Sequence, residues 1–107
     1  MDFKVLGDNL GLEEDEFREL AELFVETGRD DFIKLNDAIS NKDTDQIRTT
    51  AHTLAGAAGN LGLMDIHEPA KKIEMDAINN REDDLASLAA VVKERMDELE
   101  SFVNSLP

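Results

Sequence analysis

Residues Thr50–Leu63 read T-A-H-T-L-A-G-A-A-G-N-L-G-L and contain His52, one of the two histidines of the chain. In a helix, Ala55, Gly56 and Gly59 follow at spacings of three, four and seven residues, so they lie on the face that carries the imidazole. Each glycine inside a helix costs about 0.5–1 kcal/mol relative to alanine. We therefore expect that another molecule approaches this face closely.

The other face of the same stretch has the spacing of a helix packed against a core. Its apolar positions are Ile47, Ala51, Leu54, Ala58 and Leu61. The pattern predicts an amphipathic helix that is anchored on this side. It presents the imidazole of His52 on the opposite, uncovered side.

The first forty residues predict a short lead-in and one long helix. Residues 1–12 form one or two helical turns, with Gly7 and Gly11 as breaks. The acids at 13–16 suit the positive end of a helix dipole, and the apolar period continues to Ser40, with Gly28 as a possible kink. The stripe consists of Phe17, Leu20, Ala21, Phe24, Phe32, Leu35 and Ile39. Two shorter helices broken at Gly28 are the alternative.

Three further helices complete the prediction. Asp43 and Gln46 have the spacing of a capping box and open the helix of His52, which ends near Gly62. Asp65 and Glu68 have the same spacing and open a fourth helix, and a fifth spans about residues 82–104. Their buried stripes are Ile66, Ala70, Ile73 and Ala77, then Leu85, Leu88, Ala89, Val92, Met96, Leu99, Phe102 and Val103. Short connections predict an all-α, antiparallel up-down four-helix bundle, one domain over residues 1–107, with a short N-terminal helical lead-in.

Composition narrows the possible partners. The chain of 107 residues has a formal net charge of −14 and no cysteine. Nucleic acid and anionic membranes would repel such a protein, so neither is expected as a partner. The start lacks the apolar region of a secretory signal, and no apolar run approaches the roughly 20 residues of a membrane span. We expect a cytoplasmic protein, and the short ends favour a free-standing one.

Residues His52–Leu63 resemble the signature of histidine-containing phosphotransfer (HPt) domains, and the predicted helix order resembles that family over nearly the whole chain. The resemblance implies a four-helix bundle whose histidine, here His52, carries a phosphoryl group between aspartates of receiver domains. It implies partners among response regulators or hybrid histidine kinases, a monomer, no autokinase activity and no cofactor of its own. Mg²⁺ would be held by the partner receiver. The family usually has Lys or Arg three residues after the histidine, where this chain has Ala55.

The resemblance also implies a partner for the imidazole. The family often has Glu or Gln 22 residues after the histidine, and that position is Glu74. A carboxylate there would accept a hydrogen bond from Nδ1–H, orient the ring and leave Nε2 as the reactive atom. A solvated acid on the helix surface is the alternative for Glu74. Two cations are candidates for the role of the missing lysine: Arg48, one turn before His52, and Lys71, on the face of Glu74.

Lys71 could instead pair with Glu74 or be solvated. We interpret His67 as a surface residue, Asn60 as a helix-end residue, and Met64 and Met75 as packing residues. Two other functions stay open. A module that docks on a receiver but transfers little phosphate is favoured by Ala55, and a metal- or cofactor-binding bundle is disfavoured by the lack of paired ligands.

Overall fold

The computed structural model describes residues 2–105, so Met1, Leu106 and Pro107, the ends of the predicted domain, lie outside the described part. The described chain forms five helices and contains no strand, which confirms the all-α prediction. The helices are α1 (Phe3–Asn9), α2 (Glu14–Ser40), α3 (Thr44–Asn60), α4 (Met64–Ile78) and α5 (Leu85–Ser105).

α2 is a single helix of 27 residues, so the alternative of two helices broken at Gly28 is wrong. Its start is fixed by a capping box in which Glu13 and Glu16 satisfy each other's backbone N–H groups. Gly28 is buried, and a β-carbon there would lie 2.9 Å from Cε of Met96 in α5. This glycine therefore serves close packing inside the bundle. Leu20, predicted to be buried, is 38% exposed at the edge of the stripe.

The first four helices end in the same way. One residue after the cap has a positive φ angle, at Gly11, Lys42, Gly62 and Asn80. At the end of α3, Gly62 donates to the carbonyl of Gly59 and Leu63 donates to that of Ala58. This Schellman motif turns the chain at once into the next helix. Gly11 and Gly62 thus end helices, as predicted, whereas Gly7 lies within α1, where the sequence predicted a break.

Helix starts were predicted less accurately than helix ends. Asp43 caps α3 by accepting from the N–H of Gln46, but its own N–H donates to the carbonyl of Ala38, so only half of the predicted capping box forms. α4 begins at Met64 and has Leu63 at its cap position with no side-chain hydrogen bond, so the predicted capping box at Asp65 is wrong. The Schellman turn before α4 fixes where this helix begins, and no capping side chain is needed. α5 begins at Leu85, three residues later than predicted.

Within the described residues, α2, α3, α4 and α5 pack in a closed ring, and α1 packs on α2. One apolar core runs through all five helices. Phe3 of α1 closes one end of it, with its ring 5.2 Å from that of Phe17 and 4.8 Å from that of Phe102. No helix within residues 2–105 is both long and apolar enough to cross a membrane.

Candidate functional site

His52 lies in the middle of α3, and its side chain is 70% exposed. Its Nδ1 atom is 2.7 Å from Oε2 of Glu74 in α4. A carboxylate can only accept, so Nδ1 must carry the proton of this hydrogen bond. In the neutral ring the lone pair is then on Nε2. The contact thus prepares an accessible imidazole for nucleophilic attack through a defined atom.

Glu74 is held from both sides. Its side chain is only 9% exposed, so the alternative of a solvated acid is wrong. Oε2 faces His52, and Oε1 is 2.9 Å from Nζ of Lys71, one turn earlier on α4. Burial raises the pKa of the Glu74 carboxyl, but hydrogen bonds from Lys71 and His52, together with their charges, outweigh burial and lower that pKa below its ordinary value. Glu74 is therefore an ionised acceptor at neutral pH.

The position of Glu74 follows from the register of the two helices. Leu63 lies between α3 and α4; His52 is eleven residues before it and Glu74 eleven after it. Gly59 and His67 are likewise four residues before and after Leu63, and they too are in contact. Residues equally distant from one connection meet only when the two helices run in opposite directions. These contacts therefore make α3 and α4 antiparallel.

His67 is part of this interface, so its interpretation as a surface residue is wrong. Its Nδ1 atom is 2.7 Å from the carbonyl oxygen of Ala55 in α3. Its ring lies over Gly59, where a β-carbon would come within 2.9 Å of Nδ1 and 3.2 Å of Cε1. A carbonyl can only accept, so Nδ1 of His67 also carries a proton. The register around Leu63 was the available signal for this contact, because it places position 67 opposite position 59.

The predicted docking face needs two corrections. Ala55 is 2% exposed and belongs to the apolar core, so its placement on the uncovered face is wrong. Gly59 is covered by the imidazole of His67, and its small size serves packing between helices. Gly56 is exposed, and a β-carbon there would meet no atom within 4 Å. Of the three small residues, only Gly56 lies where a partner could approach the backbone beside His52.

The remaining candidates lie around the site. Lys71 is paired with Glu74, whereas Arg48 is exposed and has no hydrogen bond or ion pair with another described residue. Met64 and Met75 are 46% and 43% exposed, so their interpretation as packing residues is wrong. Asn60 is the last residue of α3, as predicted. Within residues 2–105, no group of three or more His, Cys, Asp or Glu side chains could hold a metal ion.

Comparison with known proteins gives one match. The model of the Hpt domain family matches residues 19–102, which is most of the chain and includes α3, α4 and the contact between His52 and Glu74. α1 lies outside the matched range. No curated protein and no solved structure matches the sequence.

Proposed function

Because the chain belongs to the Hpt domain family, whose domains transfer phosphoryl groups in two-component signalling, we propose that His52 is the residue that accepts and donates the phosphoryl group. The observation that carries this proposal is the hydrogen bond of 2.7 Å between Nδ1 of His52 and the buried carboxylate of Glu74. It defines one tautomer of an exposed imidazole. His67 lacks this arrangement, since its Nδ1 binds a neutral backbone carbonyl.

In the proposed reaction, the lone pair of Nε2 attacks the phosphorus of an aspartyl phosphate on a receiver domain. The new N–P bond forms as the bond between phosphorus and the aspartate oxygen breaks, and the aspartate leaves as a carboxylate. The imidazole becomes positively charged while Nδ1 keeps its proton. The ionised Glu74 balances that charge through the existing hydrogen bond. The reverse reaction returns the phosphoryl group to another receiver aspartate.

The distribution of charge supports a site on α3. The chain has a net charge of −14, yet apart from His52 the charged residues of α3 are only Asp45 and Arg48. α2, in contrast, carries nine acids and three basic residues. A phosphoryl group with two negative charges would be repelled less at α3 than at α2.

Two cations could stabilise the phosphoryl group, and Lys71 is the better placed. In the register around Leu63, Lys71 lies opposite Ala55, where the family usually has Lys or Arg. Its hydrogen bond to Glu74 places its Nζ beside the carboxylate that binds His52. Arg48 can swing toward His52, because it shares an exposed helix face and is not tied by an ion pair to any of residues 2–105. We propose that Lys71 replaces the missing cation and that Arg48 assists it.

The proposed partners are receiver domains of response regulators or hybrid histidine kinases. The receiver would supply both the aspartate and Mg²⁺, and the chain would act as a cytoplasmic monomer without autokinase activity. We also propose that the ring of α2 to α5 is an up-down bundle throughout. The connections of α2 to α3 and of α3 to α4 are three residues each, and such short links join antiparallel neighbours.

The deciding experiment is incubation of the purified protein with a phosphorylated receiver domain. We expect an acid-labile phosphate on this chain, and peptide mapping should assign it to His52 rather than to His67. Receiver binding without phosphate acceptance would favour the docking module instead. In that case Gly56→Leu, which fills the open space beside His52, should still abolish binding. Labelling of His67 alone would refute the assignment of His52.

A further inference from the structure

The contact of His67 has no part in the proposed transfer, yet it mirrors the contact that orients His52. At one end of the interface, a histidine of α3 donates from Nδ1 to a side chain of α4. At the other end, a histidine of α4 donates from Nδ1 to the backbone of α3. The acceptor, the carbonyl of Ala55, is three residues after His52 and therefore about one helical turn away. The two hydrogen bonds cross the same interface in opposite directions.

We propose that His67 is a positioning residue for phosphotransfer: by binding the carbonyl of Ala55 over Gly59, it fixes the register at which Glu74 meets His52. The consequence for transfer rests on the proposed function of His52. The consequence for the His52 ring does not, because the register determines the contact with Glu74 whether or not phosphate is present. His67 acts through Glu74 and does not touch the reacting atoms.

Many buried side chains of the two helices are small, although Ile47, Leu54, Ile66 and Ile73 are buried as well. Five of their buried residues are alanines: Ala51, Ala55, Ala58, Ala70 and Ala77. Alanine side chains form only shallow ridges, so they oppose sliding along the helix axis less than long side chains would. The ring of His67 fills the notch above Gly59, and its hydrogen bond is made to a rigid backbone atom. Both features oppose sliding.

Glu74 is sensitive to sliding because it has two partners. His67 and Glu74 are seven residues apart on α4, so a shift of this helix at one position is a shift at the other. The Glu74 side chain is flexible, and Lys71 lies on the same helix and moves with it. If α4 slides relative to α3, Glu74 keeps Lys71 and loses His52. The contact of His67 thus protects the hydrogen bond between His52 and Glu74, which joins the two helices at the reactive site.

A pair of nearly isosteric substitutions tests the proposal. His67→Leu removes the donor, whereas His67→Asn keeps an N–H donor at the position of Nδ1. The first readout is the ¹⁵N spectrum of the His52 ring, without phosphate, under conditions where each variant is folded. Wild type should show the proton on Nδ1. In His67→Leu it should move toward Nε2, the usual site in a free histidine side chain, and His67→Asn should restore the wild-type tautomer.

The second readout is phosphate acceptance from a phosphorylated receiver. His67→Leu should be slower by about tenfold or more, because small displacements of reacting groups have large effects on rate. His67→Asn should recover most of the loss. A purely structural role would lower stability in His67→Leu but would leave the tautomer of His52 in the folded protein unchanged.

Three results would overturn the proposal: a wild-type tautomer in folded His67→Leu, slow transfer with that tautomer unchanged, or no difference between the leucine and asparagine variants. If His67→Leu does not fold, His67→Gln replaces it, since its donor is displaced by one carbon atom. If the wild-type protein accepts no phosphate, the proposed function fails, and the ¹⁵N spectra alone still decide the role of His67.

Discussion

At each end of the interface between α3 and α4, a histidine donates a hydrogen bond across to the other helix. The histidine belongs to α3 at one end and to α4 at the other. At the His52 end, an exposed imidazole donates to an ionised, buried carboxylate that also binds Lys71. At the His67 end, a half-buried imidazole donates to a backbone carbonyl and covers Gly59. The donor atom is Nδ1 in both, and both distances are 2.7 Å. What differs is the charge of the acceptor and the exposure of the ring.

This difference separates a reactive histidine from a structural one. A carboxylate can balance the positive charge of a phosphorylated imidazole, whereas a carbonyl contributes only its dipole. An exposed ring can reach a partner, and a ring packed over a glycine holds two helices together. Hydrogen-bond geometry alone would not distinguish the two residues. The charge of the acceptor and the exposure of the ring distinguish them.

The largest expected effect is the loss of phosphate acceptance in His52→Gln. Its side chain is 70% exposed, so the substitution leaves no large cavity. The one side-chain hydrogen bond that is lost is made to the ionised, buried Glu74, so the free energy of unfolding should fall by about 1–3 kcal/mol. Phosphate incorporation and urea unfolding measure the two quantities. Wild-type incorporation in this variant would show that His52 is not the acceptor.

The second prediction concerns the acceptor. Glu74→Leu fills a similar volume but accepts no hydrogen bond, so the ring of His52 loses its orientation and its counter-charge. Transfer should slow by about 10- to 100-fold, the range seen when the hydrogen-bond partner that orients a metal-binding histidine is removed. Glu74→Gln keeps an acceptor and should lie between this variant and wild type. Transfer at the wild-type rate in Glu74→Leu would show that the carboxylate does not support the reaction.

The contact at the His52 end of the interface was predicted from the sequence, whereas the contact at the His67 end was not. The difference has a physical reason. Glu74 was predicted from the resemblance to the HPt family, which often has Glu or Gln 22 residues after the histidine, and that spacing reflects the antiparallel register around Leu63. His67 was interpreted as a surface residue because no side chain stands at a metal-binding spacing from it, and the partner it needs is a backbone atom. The register around Leu63 places position 67 opposite position 59, but it does not show which backbone carbonyl the ring binds.

The small residues of α3 were misread for a related reason. Helical spacing places Ala55 and Gly59 near His52, but it does not say which side of that face the next helix covers. The structure shows that α4 covers Ala55 and Gly59 and leaves Gly56 open. The all-α class was easier to predict, because apolar periodicity marks every long helix. The prediction of a helix start failed where a backbone turn takes the place of a capping side chain, as before Met64.

The third prediction uses pH, because only the acceptor at the His52 end can ionise. The pKa of Glu74 is lowered in the folded protein, so the unfolded state binds its proton more readily. Ionised Glu74 therefore stabilises the fold above its unfolded pKa of about 4.3, and this contribution is lost as pH falls through the lower folded value. Glu74→Gln should destabilise the protein at pH 7 and do so less at pH 3. Glu68→Gln, an exposed acid on the same helix, is the matched control. Equal losses for Glu74→Gln at both pH values would contradict this account.

The smallest expected effect compares the two glycines. Gly56→Ala places a methyl group in open space within a helix, so it should raise the free energy of unfolding by up to about 1 kcal/mol. Gly59→Ala gains the same helix propensity, but its methyl group would lie 2.9 Å from Nδ1 of His67 and must displace the ring. Because that ring is fixed by its bond to Ala55, we expect Gly59→Ala to destabilise the protein. In a His67→Ala background the obstruction is gone, and Gly59→Ala should then become stabilising. Urea unfolding of the wild type, Gly59→Ala, His67→Ala and the double variant measures the coupling between the two positions. An identical effect of Gly59→Ala in both backgrounds would show that the ring of His67 moves aside easily and does not hold the two helices in register.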